Sequence, residues 1–365
     1  MGRASVTPNK RESRMRTGKS LTQLAQELTR INETKRDFIT PIAKVQMNRQ
    51  GNIIFGNEEF GMTTWADQQT AAYLDIPKSY YDRLRTENVQ LLSQNVNHGF
   101  SKNPQDKRML RVLDGRVRAM LSNRYRRMDS YDLMQTVLPI MLETEMSVIS
   151  SDITERRLYV RALMPKLQTD IKVGDPVQYG LQISSSDVGA GSLRVEPLIF
   201  RLVCLNGLIT EHAMKKYHVG RVQCEGDDIF ELMSDETVAL DEAAFWAKCR
   251  DVVLASLKPE VFEQQVDKLR AAADRTIKNF DLAEVVELTC KAVGYSTTKD
   301  VKQGILEALA SGNQGAGLTQ WGLANSFTAV AAHNESVGFD DVVELERVGG
   351  KIIDLKPDQW HKIAG

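Results

Sequence analysis

The spacing of apolar positions divides the chain into a front that mixes short helices with strands and a back that is helical. Ser20 precedes Leu21, Leu24, Leu28 and Ile31, which fall on one helical face, so an N-capped amphipathic helix is expected there. Gly51 to Phe60 reads as a short strand or turn. Thr64 opens a helix through Leu74 that Ile76-Pro77 breaks, and short helices follow over Ser79–Leu84 and Glu87–Val96. Tyr73, Leu74, Ile76, Tyr80, Tyr81, Leu84, Leu91 and Leu92 recur at helical spacing and are expected in a core.

The clearest local signal lies at 107–122, where Asp114-Gly115 separates two alternating runs and predicts a two-residue type I′ hairpin. With a regular ladder, Leu113 faces Arg116, Val112 faces Val117, Arg111 faces Arg118 and Leu110 faces Ala119. One face then carries Leu110, Val112, Val117, Ala119 and Leu121 toward a core. The other carries Lys107, Arg111, Arg116 and Arg118. A helix from about Ser130 to Glu145, kinked at Pro139, precedes extended segments at Arg157–Met164, Val177–Ser184 and Leu193–Leu205. Asn206-Gly207 signals a second hairpin, with Leu208–His212 returning, and Gly189-Ala-Gly191 reads as a mobile loop.

Beyond Gly226 the pattern is helical: Asp241–Asn279 with a break near Pro259, a helix begun by Asp281 and Glu284 and ended at Gly294, then Lys299–Ala310 and Thr319–Ala332. A last helix, Asp340–Val348, is expected to stop at Gly349-Gly350 before Ile352-Ile353. The expected class is α+β: a central, mainly antiparallel sheet with packed helices, preceded by short helices and followed by an all-helical C-terminal module. The expected division is 1–19 as a basic disordered tail, 20–225 as an α+β domain carrying the basic hairpin, and 226–365 as an acidic helical module.

Charge sharpens that division. The 47 Lys and Arg nearly cancel the 48 Asp and Glu of the 365 residues. From Glu225 onward, however, there are 14 basic residues against 25 acidic, and before it 33 against 23, so the front is +10 and the back −11. Arg3, Lys10, Arg11, Arg14, Arg16 and Lys19 make the first 19 residues a basic tail. No apolar run suits a membrane span and no secretory leader is seen, so a cytoplasmic protein without a membrane partner is expected. The four cysteines, Cys204, Cys224, Cys249 and Cys290, lack the spacing of a disulfide framework.

Candidate chemistry is sparse. No P-loop, nucleophile elbow or zinc-protease motif occurs, and Gly349-Gly-Lys sits at a helix end. Cys204, His212, His218 and Cys224 hold zinc-type donors within 21 residues, but not at knuckle spacing. Asp152, Asp170, Asp175 and Asp187 could serve a divalent-metal hydrolase, yet no pair is selected by spacing. No catalytic residue, metal or cofactor is therefore assigned.

The sharper feature is the basic run: nine Lys and Arg against two Asp from Lys102 to Arg127. Arg111 opposite Arg118 with Arg116 beside them needs compensation. Asp114 and Asp106, the acidic back of the chain, or a phosphate backbone could each supply it. The candidate nucleic-acid-binding residues are Lys107, Arg111, Arg116, Arg118, Arg124, Tyr125, Arg126 and Arg127, with Tyr125 stacking on an unpaired base.

The segments 113–129 (Leu-Asp-Gly-Arg-Val-Arg-Ala-Met-Leu-Ser-Asn-Arg-Tyr-Arg-Arg-Met-Asp) and 199–208 (Ile-Phe-Arg-Leu-Val-Cys-Leu-Asn-Gly-Leu) resemble domain-of-unknown-function family 932. So do 319–329 (Thr-Gln-Trp-Gly-Leu-Ala-Asn-Ser-Phe-Thr-Ala) and 344–353 (Glu-Leu-Glu-Arg-Val-Gly-Gly-Lys-Ile-Ile), in the same order, over most of the chain from about Gly61. The resemblance implies a gene of a bacteriophage or mobile element acting in a bacterial cytoplasm, and brings no reaction or catalytic residue with it. The leading expectation is a non-enzymatic nucleic-acid-binding protein of phage DNA replication or recombination, favouring single-stranded DNA for binding or annealing. The alternative is a factor that acts on a host or phage protein through the acidic face around Asp227–Glu242; a homo-oligomer fits either.

Overall fold

The local start and stop signals at Ser20, Asp114-Gly115, Asp281 and Gly294 form as the sequence predicts. In the computed structural model, which describes residues 19–125, 127–210, 235–312, 315–333 and 338–365, Ser20 closes a capping box with Gln23 at the start of α1 (Leu21–Thr34). Leu24, Leu28 and Ile31 are its buried stripe. The chain is α+β, but its strands form two sheets rather than one central sheet.

The first sheet contains β1 (Arg36–Pro41), β2 (Val45–Met47), β3 (Ile53–Phe55), β4 (Glu58–Met62), β5 (Lys107–Leu113) and β6 (Arg116–Ser122), in the order β1-β5-β6-β4-β3-β2. All its pairings are antiparallel except β4 with β6. Helices α2 (Thr64–Tyr73), α3 (Lys78–Glu87) and α4 (Val89–Lys102) cover one face, where Leu110, Val112, Val117 and Met120 meet Ala66, Tyr81, Leu92 and Phe100.

After α5 (Ser130–Glu143), which contains Pro139, the second sheet begins. It comprises β7 (Ser147–Ile153), β8 (Leu158–Asp170), β9 (Pro176–Ser185), β10 (Arg194–Arg201) and β11 (Asn206–Ile209), ordered β11-β10-β9-β8-β7 and antiparallel throughout. Asn206-Gly207 is not the hairpin turn. The turn falls at Leu202–Leu205, with Leu205 at φ +52°, and Asn206 already begins the strand.

The acidic back supplies α6 (Asp235–Ser256), α7 (Pro259–Asp274), α8 (Leu282–Val293), α9 (Lys299–Ala310), α10 (Gln320–His333), α11 (Phe339–Ile353) and α12 (Pro357–Ala364). Asp281 caps α8 by accepting from the amides of Ala283 and Glu284, and Gly294 ends it at φ +65°. The helices do not form a core apart from the front. Val177, Tyr179, Ile199 and Leu208 of the second sheet share one cluster with Phe262, Trp321, Phe327 and Leu345. Leu158, Val160, Leu181 and Ile183 share another with α1, α5 and α6.

Gly349-Gly350 does not stop α11, which runs through to Ile353. A Cβ at Gly350 would lie 2.0 Å from the Ile209 carbonyl oxygen, and one at Gly349 would lie 2.7 Å from Thr328 Cγ2. The glycines are there because β11 and α10 approach the helix too closely for a side chain. No helix among the described residues is long and apolar enough to cross a membrane.

Candidate nucleic-acid interface

The Asp114-Gly115 turn forms as the sequence predicts, with both residues at positive φ (+50° and +70°), the type I′ geometry that suits the strand twist. The register beyond it differs. Val112 pairs with Val117, but Arg111 pairs with Ala119 and Leu110 with Met120. A β-bulge at Arg118 shifts the ladder by one residue and turns Ala119 and Leu121 to the face opposite Leu110 and Val112. Both faces of the hairpin are consequently buried.

That correction removes the open arginine face. Arg111 is 0% exposed. Its Nε and Nη2 donate to the two Asp37 oxygens at 2.9 and 3.0 Å, Nη2 also donates to Asp129 Oδ1 at 2.6 Å, and Nη1 donates to the Asp187 carbonyl at 2.7 Å. Lys35 donates to the other Asp129 oxygen. Burial alone would raise the Asp129 carboxyl, but Arg111 and Lys35 hold it below its usual range. Asp187 accepts from the Ser130 amide and hydroxyl at 2.8 and 2.6 Å and lies 3.5 Å from Arg118 Nη1. Arg118 is itself buried, its Nε and Nη2 have no partner, and burial lowers its pKa.

These groups join the two sheets. The loop Ser186–Ala190 docks on the hairpin: Trp65 Nε1 and Gln69 Nε2 both donate to the Val188 carbonyl at 2.8 Å, and Val188 packs with Met109, Ala119 and Leu121. The Gly189-Ala-Gly191 segment is held there, with Ala190 donating to Ser186 Oγ and accepting from Arg157. Tyr125 is half-buried in the same joint. Its hydroxyl donates to the Ser186 carbonyl at 3.1 Å, and burial pushes its pKa up to about 12. Arg111, Arg118 and Tyr125 are therefore not arranged to meet a phosphate backbone and a base in this structure.

The compensating acids are Asp37, Asp129 and Asp187. Asp114 is paired with Arg30 of α1, and Asp106 with Arg108 and the Tyr73 hydroxyl. Asp37 sits on β1, whose sequence Arg36-Asp-Phe-Ile-Thr is short, lacks a period-two alternation and borders α1. The remaining candidates lie at the surface. Lys107 is exposed at the outer end of β5, and Arg124 is half-exposed. Arg116 is exposed and donates to the Met62 carbonyl at 2.7 Å. Arg127 is exposed, 3.6 Å from Asp37. Arg126 lies outside the described residues.

Other candidate chemistry is scattered. His212, His218 and Cys224 lie outside the described residues, and Cys204 is buried against Arg201. Asp175 is bound by Arg201 and by Trp321 Nε1, far in the fold from Asp187 with Ser130 and Arg118. Among the described residues no group of three or more His, Cys, Asp or Glu is placed to hold a metal ion. Comparison of the chain with protein-family models, with curated proteins and with solved structures gives no match.

Proposed function

We propose that this chain binds nucleic acid by its phosphates, favouring single strands, in replication or recombination of phage or mobile-element DNA in a bacterial cytoplasm. The observation that carries the reading is the +10 charge of residues 1–224, which the buried pairs use only in part. Lys44, Arg49, Lys102, Lys107, Arg116 and Arg127 all stand exposed on or beside the first sheet. The working cations are thus Lys107, Arg116, Arg124 and Arg127, with the basic residues of segment 1–19. Phosphate contacts of this kind need no base-reading group and release counterions on binding. The family resemblance supplies the phage or mobile-element setting.

The test is retention of labelled single- and double-stranded oligonucleotides by the full chain at low salt. Saturable retention with preference for the single strand supports the reading, and no retention of either at protein concentrations of tens of micromolar, on the order of weak nonspecific binding, overturns it.

One observation favours a protein partner instead. Phe280, between α7 and α8, leaves its ring 98% exposed in the acidic back of the chain. Asp227–Ser234, the first part of the acidic segment, lies outside the described residues. A bacterial protein that stays bound after nuclease treatment, and is lost from Phe280→Ser, would favour this second reading.

A further inference from the structure

The face of the second sheet beneath α11 carries polar rows set by the cross-strand register. Arg161 of β8, Gln182 of β9 and Glu196 of β10 form one row. Its members are satisfied: Arg161 donates to Gln182 Oε1 at 2.7 Å and to Glu346 at 2.5 Å, and Glu196 accepts from Arg347 Nε and Nη2 at 2.9 and 2.7 Å.

The adjoining row, Tyr159, Ser184 and Arg194, is not. Tyr159 donates its hydroxyl to Asp340 of α11. Ser184 is 1% exposed, and its Oγ has no hydrogen-bond partner. Arg194 Nε is also buried without a partner, and the guanidinium comes no closer to Glu196 than 3.7 Å. The two unsatisfied groups belong to directly paired residues, whose side chains stand about 5 Å apart at their bases. Two orphaned donors side by side, one of them cationic, are costly to leave unmade.

Two further features point to an anion. Burial, then Arg347 and Arg157 nearby, oppose the charge on Arg194 more than Glu196 and Glu344 support it. Arg157 lies over Gly191, where a Cβ would meet its Nη2 at 2.6 Å, so the glycine is what leaves room for that guanidinium. The Arg194 side chain keeps 27% of its surface, so the guanidinium reaches solvent although its Nε and Ser184 Oγ are covered.

We propose that Ser184 and Arg194, with Arg157 beside them, form a binding site for a compact oxyanion of the phosphate class. One ligand oxygen accepts from Ser184 Oγ and another from Arg194 Nε, and Arg157 and Arg194 together neutralise its charge. The site is on a different sheet from the basic hairpin and stands whether or not that surface holds nucleic acid.

Inorganic phosphate is the probe, titrated calorimetrically into the full chain against potassium chloride at matched ionic strength. Saturable binding is expected, weakened at least tenfold in both Ser184→Ala and Arg194→Gln. Ser184→Ala removes a hydroxyl that no group in the chain uses, so its circular dichroism and melting temperature should equal or exceed the parent's. Absence of saturable binding in the parent overturns the proposal. Unchanged affinity in Ser184→Ala also overturns it. Comparing 5′-phosphorylated with 5′-hydroxyl oligonucleotides then assigns the source: a gain with the phosphorylated end supports a nucleic-acid terminus, and phosphate binding without that gain supports the free ion.

Discussion

Asp37 lies directly across the β1–β5 ladder from Arg111, and its two carboxylate oxygens take the guanidinium's Nε and Nη2. Such a fork against a carboxylate is the strongest ion-pair geometry available to arginine. Asp129 adds a second carboxylate to the same guanidinium. With Lys35, the cluster places two cations against two anions in a nearly dry joint between the sheets. Removing one member leaves the others buried and unbalanced.

Arg111→Met should therefore destabilise the fold by about 3–5 kcal/mol, the range for breaking a buried ion pair from one side. Arg116→Gln, on the exposed end of the same hairpin, should change stability by no more than about 0.5 kcal/mol. Urea unfolding followed by tryptophan fluorescence measures both. Equal stabilities for the two variants would show that the joint does not depend on the pair.

Gly350→Ala tests the contact that the helical pattern concealed. The new methyl would sit 2.0 Å from the Ile209 carbonyl oxygen, a backbone atom that cannot swing aside. Overpacking of this kind costs typically about 1–3 kcal/mol, although alanine is the better helix former. Gly312→Ala, at a positive φ but with open space around it, separates backbone strain from steric conflict. A Gly350→Ala protein as stable as the parent in thermal melts would contradict the close approach of α11 to β11.

Glu346 gives the fold a pH dependence of definite sign. Burial raises its carboxyl to about 7, against Arg161 of β8 and Arg347 of its own helix, which lower it; Glu196 of β10 adds to the rise. A carboxyl raised on folding takes up a proton as the chain folds. Its contribution is complete below the usual carboxylate range and is lost as pH rises through about 7. The slope is at most about 1.4 kcal/mol per pH unit for a single proton. Asp129, held low by Arg111 and Lys35, has the opposite sign: its contribution is lost as pH falls through the acid range. Unfolding free energy measured from pH 5 to 8.5 should fall more steeply in the parent than in Glu346→Gln. Parallel curves would mean that Glu346 keeps one protonation state throughout.

Local signals in the sequence carried a long way. The Ser20 cap, the Asp114-Gly115 turn, the Pro259 break and the Asp281 and Gly294 ends of α8 depend on neighbouring residues, and all stand where spacing puts them. Long-range choices were less legible. The bulge at Arg118 leaves no mark in an alternating run, yet it decides which face every later residue of β6 takes. The glycines of α11 read as a stop because their reason lies on another strand. The segments 199–208, 319–329 and 344–353, far apart in the chain, meet in space: Asn206 donates to Asn325 and Thr328, and Gly207 faces Glu346. Their distinctive residues are thus tied to close packing of β11, α10 and α11.

The burial of Arg111 and Arg118 also changes what a salt titration of nucleic-acid binding should show. Each phosphate contact to a single strand contributes roughly 0.7 to the slope of log K against log salt. A guanidinium that is fixed to carboxylates in a closed joint cannot release a counterion without breaking its pairs. Replacing Lys107, Arg116 and Arg127 together by Gln should therefore lower the slope by about 2 if each touches a phosphate. Arg118→Met, with an apolar side chain of similar length in the joint, should leave the slope unaltered. Fluorescence anisotropy of a labelled single strand over a range of salt concentrations gives both values. A slope that falls for Arg118→Met and not for the surface triple would place the phosphates at the joint, and the two sheets would then have to separate for nucleic acid to bind.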